Sequence, residues 1–348
     1  MAYTTINKGS SYFNTVLYTG TGASNSVTGV GFKPDFTWIK DRSNARDHQL
    51  VNAVVGYPSG TLFSNATDAE YTAFPRVDSS NADGFTVSTP AQVNGSGETY
   101  AAWNWLANNT SGSSNTAGSI TSTVAANTTA GFSIVRYTGT GANATVGHGL
   151  GVAPRMMIIK DRTSGAYNWT VYHASIGNTR RIILNSDAGQ DSADSRWWNN
   201  TSPTSTVFTV GIDNGANASG DSFIAYCFAE IRGYSKFDSY TGNGDANGTF
   251  VYTGFKPAFL IIKQSNTGGE NWYMWDTKRD TFNVSQKRLF PNLTNAEETG
   301  TLLFDFLSNG FKLRSTYGGF NGSGGTFIYM AFAENPFVTS GGIPVTAR

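Results

Sequence analysis

Short apolar runs and period-two alternation organise the chain. Met156-Met-Ile-Ile159 and Phe259-Leu-Ile-Ile262 are continuous, apolar and bounded by proline and turn residues. They are too short for a buried helix and predict strands covered on both faces. Each lies in a run that follows a proline and ends at a lysine: Phe36 to Lys40, Met156 to Lys160 and Phe259 to Lys263. A second class of segment alternates in bulk. One face carries Ala101, Trp103 and Trp105, then Ile224, Tyr226 and Phe228, then Ile328, Met330 and Phe332. Alternation of this kind predicts one core face and one closely packed or partly exposed face, as in two facing sheets.

These patterns recur three times in one order. Tyr18-Thr-Gly-Thr-Gly22, Tyr137-Thr-Gly-Thr-Gly141 and Tyr240-Thr-Gly-Asn-Gly244 open the copies. Gly31-Phe-Lys-Pro34, Gly151-Val-Ala-Pro154 and Gly254-Phe-Lys-Pro257 follow after 16, 17 and 17 residues, tyrosine to proline. A Gly-rich turn then leads into the aromatic strands Tyr100 to Trp105, Phe223 to Phe228 and Phe327 to Phe332, which begin 66, 69 and 70 residues after the proline. Leu62-Phe-Ser-Asn-Ala-Thr-Asp-Ala-Glu70 also matches Leu289-Phe-Pro-Asn-Leu-Thr-Asn-Ala-Glu297. A repeat of about 100 residues is a small domain, larger than a solenoid unit. The expectation is an all-β protein of three tandem homologous antiparallel β-sandwich (jelly-roll-like) domains: residues 1–106, 132–232 and 233–337. Residues 107–131, almost all Ser, Thr, Asn, Ala and Gly, read as a linker, and residues 338–348 as an extended tail.

Composition agrees and removes several functions. Of 348 residues, 40 are glycine and 14% are aromatic, which suits short strands and tight turns. Only 14% are charged, against about 25% in average domains, and the formal net charge is zero. With no basic run, nucleic acid is not an expected partner. No apolar stretch nears the ~20 residues of a membrane helix, so membrane insertion is not expected. Met1 to Asn14 lacks the basic and apolar regions of a signal peptide, which predicts synthesis in a cytoplasm without export by that route. Cys227 is the only cysteine, leaving no internal disulfide and no cysteine-type zinc site.

No catalytic signature is present: no GxSxG, GxxxxGK, HExxH or CxxC. Internal alignment places His48 with Trp169 and Trp272, His173 with Asn52 and Asp276, and His148 with Thr28 and Val251, so no histidine is shared and each reads as surface or half-buried. Cys227 reads as a small strand residue. Lys40-Asp-Arg42 and Lys160-Asp-Arg162 read as solvated strand ends with surface ion pairs; the third copy has Lys263-Gln-Ser265. Asp238, Asn243, Asp245 and Asn247 offer oxygens for calcium but match no ligand loop and suit ordinary turns. Neither a metal nor a cofactor is expected. For binding, Trp197, Trp198, Asn199 and Asn200 stand out, because aromatics in a loop variable between the copies can stack on sugars.

Gly31-Phe-Lys-Pro-Asp-Phe-Thr-Trp-Ile-Lys-Asp-Arg-Ser43, the aromatic strands and Ala331-Phe-Ala-Glu-Asn-Pro-Phe-Val-Thr-Ser340 resemble a family of tailed-bacteriophage virion proteins, common in phages of marine bacteria and often described as tail-fibre or structural proteins. The resemblance covers nearly the whole chain. It implies a virion location after assembly in the bacterial host cytoplasm, no enzymatic activity, other virion proteins (a tail adaptor or the capsid) and a host-surface glycan or protein as partners, and a homo-oligomer, by expectation a trimer. Tail fibre or adhesin is the first expectation. Head decoration, in which the protein would clamp capsid subunits, is the alternative, and a carbohydrate-binding module is a further one.

Overall fold

The computed structural model describes residues 3–58 and 60–343. They are all-β, with 41% strand against 6% helix, in several antiparallel sheets. Residues 344–348 of the tail read from the sequence lie outside the described residues.

Each copy builds a large sheet on the same four strands in the same spatial order. An opening strand (Phe13–Thr19, Phe132–Thr138, Ser235–Thr241) lies beside a closing strand (Thr99–Trp105, Ser222–Phe228, Thr326–Pro336). A lysine strand (Phe36–Asp41, Met156–Asp161, Phe255–Gln264) follows, then an outer strand (Gln49–Asn52, Thr170–His173, Tyr273–Asp276). The register repeats: Lys40, Lys160 and Lys263 face Ala101, Ile224 and Ile328. Smaller sheets pair Asn25–Thr28 with Gly84–Val87, Ala144–Gly147 with Val207–Val210, and Phe250–Tyr252 with Gly310–Leu313. Val27, Phe85 and Val87 share a core with Ile39, Tyr100 and Ala102 of the first large sheet, and Val146, Phe208 and Val210 do so with Ile159, Phe223 and Ala225 of the second.

The opening landmark is a clamp on this arrangement. Tyr18, Tyr137 and Tyr240 stack on Tyr100, Phe223 and Phe327 at 5.0, 5.2 and 5.2 Å, and their hydroxyls donate to the carbonyls of Val93, Ala216 and Phe320. Buried Asn94, Asn217 and Asn321 accept from the backbone N–H of Thr21, Thr140 and Asn243 in the adjoining turn. Gly20 is obligatory there, since a Cβ would stand 2.2 Å from the Gly95 carbonyl oxygen.

Both faces of the closing strands are core. The face of Ala101, Trp103 and Trp105 enters one hydrophobic centre with Ile224, Tyr226, Phe228, Ile328, Met330 and Phe332. There Phe13 stacks on Phe332 at 5.0 Å, Phe36 on Tyr226 at 4.1 Å, and Trp105 meets Phe132, Phe228, Phe259 and Phe332 at 5.8 to 6.4 Å. Each large side chain removed from water contributes roughly 1.5–3 kcal/mol, so the three large sheets are bound by a common centre as well as by their own layers.

Polar contacts close the copies into a ring. Trp169 Nε1 donates to the Phe63 carbonyl of the first copy and Trp272 Nε1 to the Ile183 carbonyl of the second. At the aligned position His48 accepts from Trp38 Nε1 at Nδ1, so its Nε2–H donates to Phe290 of the third copy, 2.9 Å away. The backbone N–H of these three residues donates to Asn65, Asn185 and Asn292. A second circuit runs the other way. Asn52 donates to the Tyr226 hydroxyl, His173 Nε2 to the Tyr329 carbonyl, and Asp276 accepts from Trp103 Nε1.

Two expectations are corrected. The stretch 107–131 is not a bare linker. Ser122–Asn127 pairs antiparallel with Phe132–Arg136, and Ser113–Asn115 pairs with Ser122–Val124. Its small side chains fit a sheet edge, and Ile120, Val124 and Ala125 are buried. The charged strand ends are not solvated, because Lys40, Asp41, Lys160, Asp161 and Lys263 are fully buried. A shared centre makes the chain one cooperative unit. Calorimetric unfolding is expected to show a single transition with equal calorimetric and van't Hoff enthalpies; three separable transitions would contradict the common core.

Candidate functional site

The titratable groups are deployed structurally. Lys40 Nζ donates to the carbonyls of Asp41 and Asn44. Lys160 Nζ donates to those of Thr67, Asp161 and Tyr167, and Lys263 Nζ to those of Asp187 and Glu270. Thr67 and Asp187 belong to the neighbouring copy, so Lys160 and Lys263 each tie a foreign loop to their sheet, whereas Lys40 holds a loop of its own copy. Burial pushes all three ammonium groups down to about 8, which leaves them charged at neutral pH. Asp41 and Asp161 cap the next loop, accepting from the N–H groups of Ser43 and Asn44, and of Thr163 and Ser164. Arg42 pairs bidentately with Glu297 at 2.9 and 2.8 Å, and Arg162 pairs with Glu70. Buried Arg279 extends the first pair to Asp276 at 2.6 Å.

All three histidines are buried, which corrects the expectation of surface or half-buried rings. Nδ1 accepts from Trp38 Nε1 in His48, from the Leu150 N–H in His148 and from the Ser175 N–H in His173. Nε2 lies against the Phe290, Thr204 and Tyr329 carbonyls. Each ring is therefore neutral with the proton on Nε2, and burial holds its pKa down, to about 4 in His173. Cys227 is buried, and burial pushes its thiol up, away from a nucleophilic thiolate. Among the described residues no group of three or more His, Cys, Asp or Glu side chains is placed to hold a metal. Asn243 and Asp245 instead accept from the N–H groups of Asp245 and Asn247 in successive turns.

The binding residues picked out in the sequence separate into two pairs. Trp197 and Trp198 are 8% and 1% exposed, which corrects the expectation of free aromatic faces. The Asp194-capped turn Ser195–Trp198 directs them inward. Trp198 donates to the Arg180 carbonyl and meets Tyr172 edge-on, and the Arg181 guanidinium lies 3.7 Å above the Trp197 ring. Desolvating two large indoles outweighs displaying them. Asn199 and Asn200 are exposed, left-handed residues (φ 48° and 51°) of the turn that follows. At the start of the Ser195–Trp198 turn, Asp194, Ser195 and Arg196 line a cavity of about 440 Å³ with Tyr167, Ile212, Asp213 and Asn214. Ile212 is 58% exposed, a large apolar side chain facing solvent at a polar rim. The sequence marks this cavity only through loop 195–203, where the other copies carry different residues and form the strands Val77–Asn81 and Glu298–Leu307.

One family matches the chain over residues 8–336, a span that takes in all three copies. The chain belongs to the DUF7483 family, described as a domain of unknown function. No curated protein and no solved structure matches it.

Two outcomes test this account. Lys160→Met keeps the bulk but strips three carbonyls of their donor, and is expected to cost about 2–3 kcal/mol in denaturant unfolding. Because the folded histidine pKa values lie below the unfolded value near 6.5, the unfolded chain binds more protons in acid. Stability is therefore present above pH 6.5 and falls below it by up to about 1.4 kcal/mol per pH unit per histidine. His173→Gln, which keeps a donor, should reduce that slope between pH 6.5 and about 4, measured by urea unfolding across pH.

Proposed function

We propose that this member of the DUF7483 family is a non-enzymatic structural protein of a tailed-phage virion, built from three homologous jelly-roll-like sandwich domains fused into one ring. The observation that carries the reading is the use of its buried polar groups. His48, His173, Lys160, Lys263 and the repeated arginine–carboxylate pairs tie copy to copy, a geometry that suits rigidity rather than turnover. A tripled, disulfide-free, weakly charged β-body suits a particle assembled in a reducing cytoplasm that must persist outside it.

Within the virion the role favoured is a tail-fibre or adhesin component that contacts a host-surface glycan or protein. The exposed end of the second copy, with Arg196 and Ile212 lining an open cavity and Asn199 and Asn200 exposed in the turn that follows Ser195–Trp198, is the contact surface it offers. Rigid scaffolds carrying variable loops are a common design for recognition. Decoration of the head is the second reading, favoured by the ring itself, since three like domains in one chain match a threefold position on a capsid. Trimerisation of the whole chain belongs to the fibre reading.

Immunogold labelling of virions separates the two: tail-tip label is expected, and label over the head would transfer the role to decoration. For attachment, Arg196→Glu with Ile212→Ser should lower binding of the purified protein to host cells at least tenfold while leaving the melting temperature within a few degrees. Trp197→Ala should instead cost about 3–5 kcal/mol of stability.

A further inference from the structure

At the start of the first lysine strand, Asp35 is fully buried yet only half satisfied. Its Oδ2 accepts from the N–H groups of Ala107 and Asn109 at 2.7 and 3.0 Å, while its Oδ1 has no partner among the described residues. The residue stands in the wall of a cavity of about 280 Å³, near the lower size of small-ligand pockets at roughly 300 Å³. Tyr57 lies in the same wall. Hydroxyl and amide groups of Ser79, Ser80, Asn109 and Thr110 make up much of the rest, and Lys33 and Asp78 bring two charges to the lining.

The feature is private to the first copy. The register places Arg155 and Ala258 where the first copy has Asp35: each precedes the residue that faces Phe228 or Phe332, as Asp35 precedes Phe36 facing Trp105. Arg155 reaches out to the Phe237 carbonyl and Glu230, and Ala258 needs no partner. A carboxylate oxygen left unpaired in this setting costs more than either replacement, so fold maintenance does not account for it. Burial raises the Asp35 pKa, against the lowering pull of the Asn109 and Ala107 N–H groups and the Lys33 charge.

The chemistry of the wall selects the occupant. A divalent cation needs several oxygens of compatible charge. Asp78 is already engaged by the Ser88 hydroxyl, the Lys33 ammonium stands at the cavity, and no metal-holding cluster occurs among the described residues. A flat ring edge, one unpaired acceptor, several hydroxyl and amide groups and a Lys33 charge offset by Asp78 fit a molecule that is neutral and rich in hydroxyl groups. We propose that this cavity binds a single neutral sugar residue, with one sugar hydroxyl donating to Asp35 Oδ1 and another meeting the Tyr57 hydroxyl. The inference rests on the attachment reading for the source of the sugar, a host glycan, and on the cavity alone for the binding.

Saturation-transfer NMR on the full chain with D-glucose, D-galactose, D-mannose, L-rhamnose and N-acetyl-D-glucosamine tests it. At least one sugar should receive saturation. Asp35→Asn can keep its oxygen on the Ala107 and Asn109 N–H groups while presenting a donor to the cavity, and should weaken that sugar about tenfold, the effect of roughly 1.4 kcal/mol. Tyr57→Phe, which removes only the hydroxyl and keeps the ring, should weaken it severalfold and keeps the test open if the first variant misfolds. No transfer to any of the five sugars, transfer undiminished in both variants, or displacement of the sugar by calcium chloride would each overturn the proposal. If the sugar binds and both variants lose it, the cavity assignment holds; host-cell attachment unchanged in those variants would then count against the attachment reading alone.

Discussion

The closing strand has no solvent face, and the rest of the molecule is arranged around that constraint. A strand with Trp103 and Trp105 on one side and Tyr100 and Ala102 on the other needs two apolar layers. The small sheet of its own copy supplies one, and the other two copies supply the second. No copy can complete its burial alone, so the large sheets are committed to a common centre. The polar circuits follow from this commitment. Where two copies meet, backbone carbonyls near the sheet ends lose water, and Trp169, Trp272, His48 and the lysines supply the missing donors.

The three positions of each circuit differ chemically but are matched to their partners. Asn52 donates to a tyrosine hydroxyl, and Asp276 accepts from an indole. In the third copy Met330 occupies the place of Tyr226 and Trp103 and offers no polar group, so His173 reaches the neighbouring Tyr329 carbonyl. Divergence between the copies was therefore paired across the seams: change on one side required a compatible group on the other.

Much of the fold was legible in the chain. Landmark spacing located the copies, and the alignment of His48 with Trp169 and of His173 with Asp276 matches their places in the two circuits. What spacing could not convey was what lies opposite. The alternation around Trp103 looks the same whether its second face meets solvent or another copy. A Lys-Asp-Arg run looks the same at a wet edge or beneath a neighbour's loop. The segment 113–127 lacks apolar bulk, so its strands were invisible until an unpaired sheet edge was there to receive them. The buried asparagines Asn94, Asn217 and Asn321 did leave a signal, the recurring Asn-Gly/Ala-Ser-Gly before each closing strand. Trp197 and Trp198 misled because a variable loop was equated with a displayed one. The cavity at Asp35 was hidden because only the folded register shows that its carboxylate lacks a partner.

Near either end of the described chain, Asn7 and Ser340 clasp one another: the Asn7 amide donates to the Ser340 hydroxyl and the Ser340 N–H returns to Asn7 Oδ1, both at 2.7 Å. The polypeptide thus enters and leaves the body at one point. Pulling on its two ends loads that clasp and the adjoining strands first, in a peeling geometry, while the aromatic centre stays out of the line of force.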